Sequence, residues 1–304
     1  MPPLPLLRLP QLVLCEVFKS FSIVEKIKLS LCSKKMSRIN ISRLHSQKVI
    51  VVLDILNRNI RVHSENDEHI FDIFTYPHSG KSCISNTQQS FIACSAFISR
   101  GVQVFSKNHQ ERFRSIARNL LKMFQCKVTT NLSWYNSDLH QPMVSMLLDL
   151  QVKYKKLTIS LHGSKDEILF NQISNKLELV EDLRISPTWL PGFSPVFTSW
   201  PKKITIMNSS WFTLEHLVSC TCTTITLGCS HLGNKDLDEI LRKWKAGGFP
   251  NLEYLHVDRN YIKNNKTRLN PLELRGKVVQ SDDGTKKATI NTGNGRIEMS
   301  VTPF

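Results

Sequence analysis

ITIMNSSWFTLEHLVSCTCTTITL, residues 204–227, decides the fold. Its two ends, Ile204-Thr205-Ile206 and Ile225-Thr226-Leu227, alternate apolar and polar side chains and are rich in β-branched residues. That is the pattern of a strand with one face buried. Between them Leu214–Val218 reads as a short helix. Working outward, similar strand pieces occur at Leu157-Thr158-Ile159-Ser160-Leu161, Leu183-Arg184-Ile185 and Leu255-His256-Val257, with a second helical segment over Asp236–Trp244. Taking Ile159, Ile185, Ile206, Leu227 and Val257 as reference points, the spacings are 26, 21, 21 and 30 residues.

A strand plus a helix at such intervals is the signature of a leucine-rich-repeat-like solenoid, whose inward residues stack on those of the next repeat. Ile204 and Ile206 are then core. The intervening Thr158, Arg184, Thr205, Thr226 and His256 share the opposite face and form the candidate target-binding set. The alternative is a non-repetitive α/β sheet whose spacing is coincidental.

Local signals support the frame. Asn234 and Asp236 are cap candidates for the helix ending at Trp244, and Gly247-Gly248 suits a helix exit with positive φ. Asp282-Asp283-Gly284-Thr285 and Thr292-Gly293-Asn294-Gly295 read as tight turns between strands, so residues 272–302 are expected to form an antiparallel meander. Upstream, residues 48–75 read as another antiparallel meander, 77–90 as a loop, and 109–124 as a helix carrying Phe113, Ile116, Ala117, Leu120, Leu121 and Phe124.

Residues 6–44 have a different texture. Leu9-Pro10 opens a helix, and Val13, Leu14, Val17, Phe18 and Phe21 form its apolar stripe. Ser22 with Glu25 is a capping box for a second helix, where Ile23, Ile27 and Leu31 face inward and Lys26 and Lys28 outward. Lys34, Lys35 and Arg38 lie on a third helix among Cys32, Met36, Ile39 and Leu44. Three such short helices bury little apolar surface alone and need a partner or a following domain.

Leu9-Pro10, Val13, Val17-Phe18, Phe21, Ile23, Glu25, Ile27, Leu31, Ser33-Lys34-Lys35, Met36 and Ile39 resemble the F-box without gaps. Leu12 stands where an acidic residue is frequent, Lys26 where an apolar one is common, and Met36 where many members carry Trp. A second resemblance lies downstream. Ser209-Ser210-Trp211-Phe212-Thr213-Leu214-Glu215-His216-Leu217, Leu232-Gly233-Asn234-Lys235-Asp236-Leu237, Trp244-Lys245-Ala246-Gly247-Gly248 and Leu252-Glu253-Tyr254-Leu255 look like the F-box-associated type 2 domain of the large nematode F-box families. Asp283-Gly284-Thr285, Ala288-Thr289-Ile290 and Ile297-Glu298-Met299 resemble the ending seen in that group.

The resemblance implies an α+β chain. A three-helix F-box over 6–44 precedes an α/β target-binding region over 48–304, with the associated domain at about 185–260. It further implies a non-catalytic substrate receptor of a cullin–RING ubiquitin ligase. The receptor would dock on the Skp adaptor through Leu9, Pro10, Val13, Val17, Ile23, Ile27 and Leu31, and hold an unknown target protein with its larger domain.

Composition and missing motifs narrow the other classes. A hydrophobic content of 41% with mean hydropathy −0.19 excludes a disordered chain and a polytopic membrane protein. Eight dispersed cysteines and an N-terminus without a basic leader point to free thiols in the cytoplasm or nucleus. Gly80-Lys81-Ser82 mimics the end of a phosphate-binding loop, but Thr75 stands where that loop needs Gly. HExxH, GxSxG and GxGxxG are all missing, so no catalytic residue and no cofactor is expected. Cys220, Cys222, Cys229 and His231 are zinc-ligand types at an unusual spacing and read better as buried small hydrophobes, with no metal. The net charge of +15 suits an acidic partner. A nucleic-acid binder would interleave aromatics with its basic stripe, whereas Trp189, Trp200, Trp211 and Trp244 follow the apolar pattern. The competing reading is a stand-alone scaffold or nucleic-acid-associated protein with a degenerate F-box.

Overall fold

The computed structural model describes residues 10–32, 49–64, 71–77, 87–94, 97–133, 137–160, 164–186, 195–259, 276–293 and 295–303. The chain is a mixed α/β protein that divides into two units. One comprises residues 1–131 and 135–153, the other residues 132–134 and 154–304.

In the first unit, helices α1 (Gln11–Ser20) and α2 (Ile23–Cys32) precede strands β1 (Val49–Asp54), β2 (Asn59–Ser64), β3 (Phe71–Pro77), β4 (Thr87–Cys94) and β5 (Phe97–Ser106). Helix α3 (His109–Phe124), strand β6 (Lys127–Ser133) and helix α4 (Ser137–Asp149) follow. The sheet order is β6-β1-β2-β3-β5-β4. β1, β2 and β3 form the expected antiparallel meander, while β6 joins β1 and β5 joins β3 in parallel.

Helix α3 has the bounds its stripe predicts. Asn108 caps it by accepting from the Glu111 N–H at 3.0 Å, and Gln125 closes it at φ 47°. Its apolar face lies against β1, β3 and β5. One expectation fails: residues 87–90 are not loop but the start of β4, paired antiparallel with β5. Thr87-Gln88-Gln89-Ser90 lacks apolar alternation, and the strand is made by the backbone ladder of its neighbour rather than by its own pattern.

The second unit carries β7 (Tyr154–Ser160), α5 (Ser164–Ser174), β8 (Asp182–Ser186), β9 (Lys203–Ile206), α6 (Leu214–Ser219), β10 (Thr224–Ser230), α7 (Asn234–Lys245) and β11 (Tyr254–Arg259). It ends in the meander β12 (Lys277–Gln280), β13 (Lys286–Gly293) and β14 (Arg296–Pro303). Strands β7 to β11 are parallel neighbours in chain order. β14 then closes antiparallel on β11, followed by β13 and β12.

The register places the five reference residues in one row: Ile159 opposite Ile185, Ile185 opposite Ile206, Ile206 opposite Leu227, and Leu227 opposite Val257. All five are buried, as are Leu157, Leu183, Ile204, Ile225 and Leu255. Because each crossover steps to the next strand in the same direction, right-handed connections put α5, α6 and α7 on one face. These helices contribute Phe170, Ile173, Leu217, Leu237, Ile240 and Trp244 to the core.

The caps are nearly as expected. Asp236 accepts from the Gly233 N–H at 2.6 Å and so locks the start of α7. Asn234 is the first helical residue rather than the cap. At the exit Gly247 has φ +86°, and a Cβ on Gly248 would lie 2.8 Å from the Lys243 carbonyl. In α6 a histidine completes the capping box: His216 Nδ1 accepts from the Thr213 N–H at 3.1 Å.

Candidate functional site

The polar row is a continuous feature of the second unit. Thr158, Arg184, Thr205, Thr226 and His256 stand opposite one another in successive strands, one residue before each buried reference residue. Arg184 is exposed and the other four are half-buried. Parallel sheets normally carry helices on both faces. Among the described residues, the same-handed crossovers place their helices on the other face, and this one carries side chains of threonine, arginine and histidine.

The row extends beyond the five residues read from the sequence. His256 faces Glu298 on β14, its Nδ1 3.3 Å from Oε1, and Glu298 faces Asn291 on β13. Tyr254 stacks on His256 with rings 6.5 Å apart and 10° from parallel. Burial first, and the Glu298 carboxylate second, push the Tyr254 hydroxyl above its usual range. Arg184 is steadied by Asp182 at 3.3 Å. The alternation Ile297-Glu298-Met299 marks Glu298 as a polar position of its strand, but its place beside His256 comes from the long-range pairing of β14 with β11.

Strand order bears on where a crevice could form in this unit. Ligand crevices of α/β sheets form where the strand order reverses, and β7 to β11 run without a reversal. Among the described residues, no three His, Cys, Asp or Glu side chains gather as a metal site. Cys220 and Cys222 are buried free thiols, Cys229 is half-buried and His231 is exposed. A shared hydrogen bond with Cys220, together with burial, drives the Cys222 thiol well up, which keeps it protonated.

The loop side of the same region holds a cluster that the sequence reading assigned only to an apolar pattern. Phe197 stacks on Trp200 at 4.3 Å and 6°, and lies edge-on to Phe170 of α5 at 5.2 Å. It also meets Trp211, Phe212 and His216. Residues 195–202 of the β8–β9 crossover hold no helix, and these rings fill the space between α5 and α6. Trp189 lies outside the described residues.

At the other end of the chain, α1 and α2 match the expected first two helices, while Leu9 and the third helix lie outside the described residues. The capping box is present: Glu25 Oε2 accepts from the Ser22 N–H and hydroxyl, each at 2.8 Å, and the Glu25 N–H reaches back to Ser22 Oγ at 3.3 Å. Of the seven adaptor candidates, Ile23 and Ile27 are buried and belong to the core. Val17 and Leu31 are half-buried, and Pro10 and Val13 are exposed, Val13 by 45%. The expected outward position of Lys26 is corrected, because its side chain is fully buried. Loss of hydration lowers its pKa, partly offset by neighbouring Glu25. Helix α2 packs toward α3.

Among the described residues, no helix is long and apolar enough to cross a membrane. A model of the F-box-associated family matches residues 193–257. The chain therefore carries an F-box-associated domain, and that stretch runs through the aromatic cluster, β9, α6, β10, α7 and into β11. No curated protein and no solved structure matches the chain.

Proposed function

We propose that this chain is a non-catalytic substrate receptor of a cullin–RING ubiquitin ligase. Its N-terminal helices dock on the Skp adaptor through the set Leu9, Pro10, Val13, Val17, Ile23, Ile27 and Leu31, with Pro10 and Val13 exposed and Ile23 and Ile27 as buried support. The polar row Thr158, Arg184, Thr205, Thr226 and His256, continued by Glu298, holds a target protein. Ubiquitin transfer is left to other subunits, so the mechanism is proximity.

The observation that carries this reading is the F-box-associated match at 193–257. Such domains point to an adaptor family that is typically non-catalytic, and they accompany an F-box. Two features support it: Val13 is an exposed valine on a short helix, and among the described residues the parallel sheet has a polar face without crossover helices. On this reading residues 6–44 act as a docking module and residues 48–304 as a target-binding region.

The test is co-purification of the full chain with purified Skp adaptor, beside Val13→Asp. A stoichiometric complex that is lost in a variant of unchanged melting temperature is the expected result. A folded chain that forms no complex would overturn the proposal. Arg184→Glu and Thr226→Arg should then abolish capture of the identified target and leave adaptor binding intact.

A further inference from the structure

Among the described residues, three buried side-chain atoms have no hydrogen-bond partner: Arg58 Nε, Asn59 Oδ1 and His109 Nε2. Asn59 belongs with the Arg61–Asp72 pair, since its Nδ2 donates to Asp72. The other two are nitrogens of basic side chains that the first unit brings together from distant parts of the chain. Arg58 sits in the turn between β1 and β2. Its carbonyl accepts from both the N–H and the hydroxyl of Thr75 on β3, at 3.3 and 3.2 Å. Thr75 pairs with Val104 on β5, the strand that leads into α3. His109 is the first residue of α3, four positions before Phe113. It therefore heads the buried stripe Phe113, Ala117, Leu120 and Phe124 on the face that packs against the sheet. Burial first, and the Arg58 charge second, hold the His109 pKa down, so the guanidinium lies near the ring.

A buried donor without an acceptor has given up its hydration for nothing and calls for an explanation. The carboxylates of the neighbouring elements are committed elsewhere. Asp54 accepts from the Asn57 N–H and Nδ2, Asp72 pairs with Arg61, and Glu111 pairs with Arg114. Arg112, half-buried and one turn along α3 from His109, adds a third basic side chain on the same side of the helix. Arg58 also holds φ at 51°, a region uncommon for residues with a side chain and concentrated at ligand clamps. A water molecule could accept from both nitrogens, yet it would leave the charges of Arg58 and Arg112 without compensation. An oxyanion answers both needs, because it accepts from two donors at once and carries the opposite charge.

We propose that the joint between the β1–β2 turn and the start of α3 binds a phosphate group, held by Arg58 Nε and His109 Nε2 with Arg112 at its rim. The two donors come from different elements and fix two oxygens of the group, which favours a tetrahedral oxyanion over a halide.

The experiment is an NMR titration of the full chain that follows the His109 ring C–H resonance, assigned by its loss in His109→Gln. Inorganic phosphate, glycerol phosphate and chloride are added in separate arms at one ionic strength. The expected result is a saturable shift with Kd below about 1 mM for phosphate, and a His109 titration midpoint that rises when phosphate is bound. Arg58→Gln should weaken phosphate by about tenfold at unchanged melting temperature. Without phosphate, the same variant should raise the His109 midpoint, because the repelling charge is gone. Lys202→Gln, an exposed lysine of the second unit, should leave phosphate binding unchanged. Glycerol phosphate binding as tightly as inorganic phosphate would uphold the site for a phosphate carried on a larger molecule, and its exclusion would uphold it for the free ion. No saturable shift, an equal response to chloride, full affinity in Arg58→Gln, or an equal loss in Lys202→Gln would each overturn the site.

Discussion

Arg61 and Asp72 stand directly opposite each other on β2 and β3, with the guanidinium Nε 3.0 Å from a carboxylate that is only 1% exposed. Asn59 Nδ2 adds a longer contact at 3.4 Å. Arg61 itself remains about half in water, so the pair joins a solvated cation to a buried anion. Arg61→Ala strips that carboxylate of its charge partner and should cost about 2–3 kcal/mol. Adding Asp72→Asn to it should recover part of the loss. Urea unfolding of the single and double variants checks this, and a double variant no more stable than Arg61→Ala would refute the account.

Close backbone approach makes a second prediction. A Cβ at Gly228 would lie 2.6 Å from the Met207 carbonyl oxygen, and one at Gly101 would lie 2.9 Å from that of Asp72. Neither contact can be relieved by turning a side chain. Gly228→Ala and Gly101→Ala should each cost about 1–3 kcal/mol. Gly293→Ala, where an added methyl meets nothing within 4 Å, should stay within about 0.5 kcal/mol of the native chain by the same measurement.

The N-terminal helices carry both buried and exposed apolar residues. Ile27 is fully buried, so Ile27→Ala should lose about 2–4 kcal/mol and Ile27→Asp should not fold normally. Val13→Ala should change stability by less than about 0.5 kcal/mol. Thermal melts of the two alanine variants suffice to check the order. A Val13→Ala loss as large as that of Ile27→Ala would place Val13 in the core.

Lys26 gives a pH signature. Its folded pKa lies below 10.5, so the unfolded chain binds the proton more tightly. Stability should therefore rise as pH increases from the lowered value toward 10.5. Lys26→Met should abolish that rise and be neutral or stabilising by about 1 kcal/mol at neutral pH. Denaturation midpoints across the alkaline range distinguish the two chains, and an unchanged slope in the variant would contradict the burial argument.

Asp283 provides an acidic counterpart. Hydrogen bonds from Ser281 Oγ, and from the Thr285 N–H and hydroxyl, hold its carboxyl down to about 2. A depressed carboxylate contributes stability above its unfolded value near 3.8, and this is lost as pH falls through the folded one. Carboxyl NMR titration should find the midpoint near 2 in the native chain and closer to 3.8 in Ser281→Ala. A titration unmoved by that change would remove Ser281 as the main cause.

Much of the fold could be read from the sequence, and the reasons are local. Wherever one face of an element is buried, the alternation or the 3–4-residue spacing writes itself into the chain. This is why α3, the first meander and all five parallel strands stand where expected. β4 escaped because its start carries no such pattern and is set by its neighbour's backbone. Lys26 escaped because spacing alone cannot tell which polar residue of a helix the fold will bury. The polar row was legible as an alternation, but its continuation through His256 to Glu298 depends on a long-range antiparallel pairing.

The antiparallel return of β14 onto β11 has one more consequence. A run of parallel strands added one after another would otherwise end in a long, straight, hydrogen-bond-hungry border, an invitation to other chains. Here that border is handed through β14 and β13 to β12, a strand of four residues that begins with Lys277. The meander thus works as a hem, ending this side of the sheet on a short strand rather than on a long, straight parallel one.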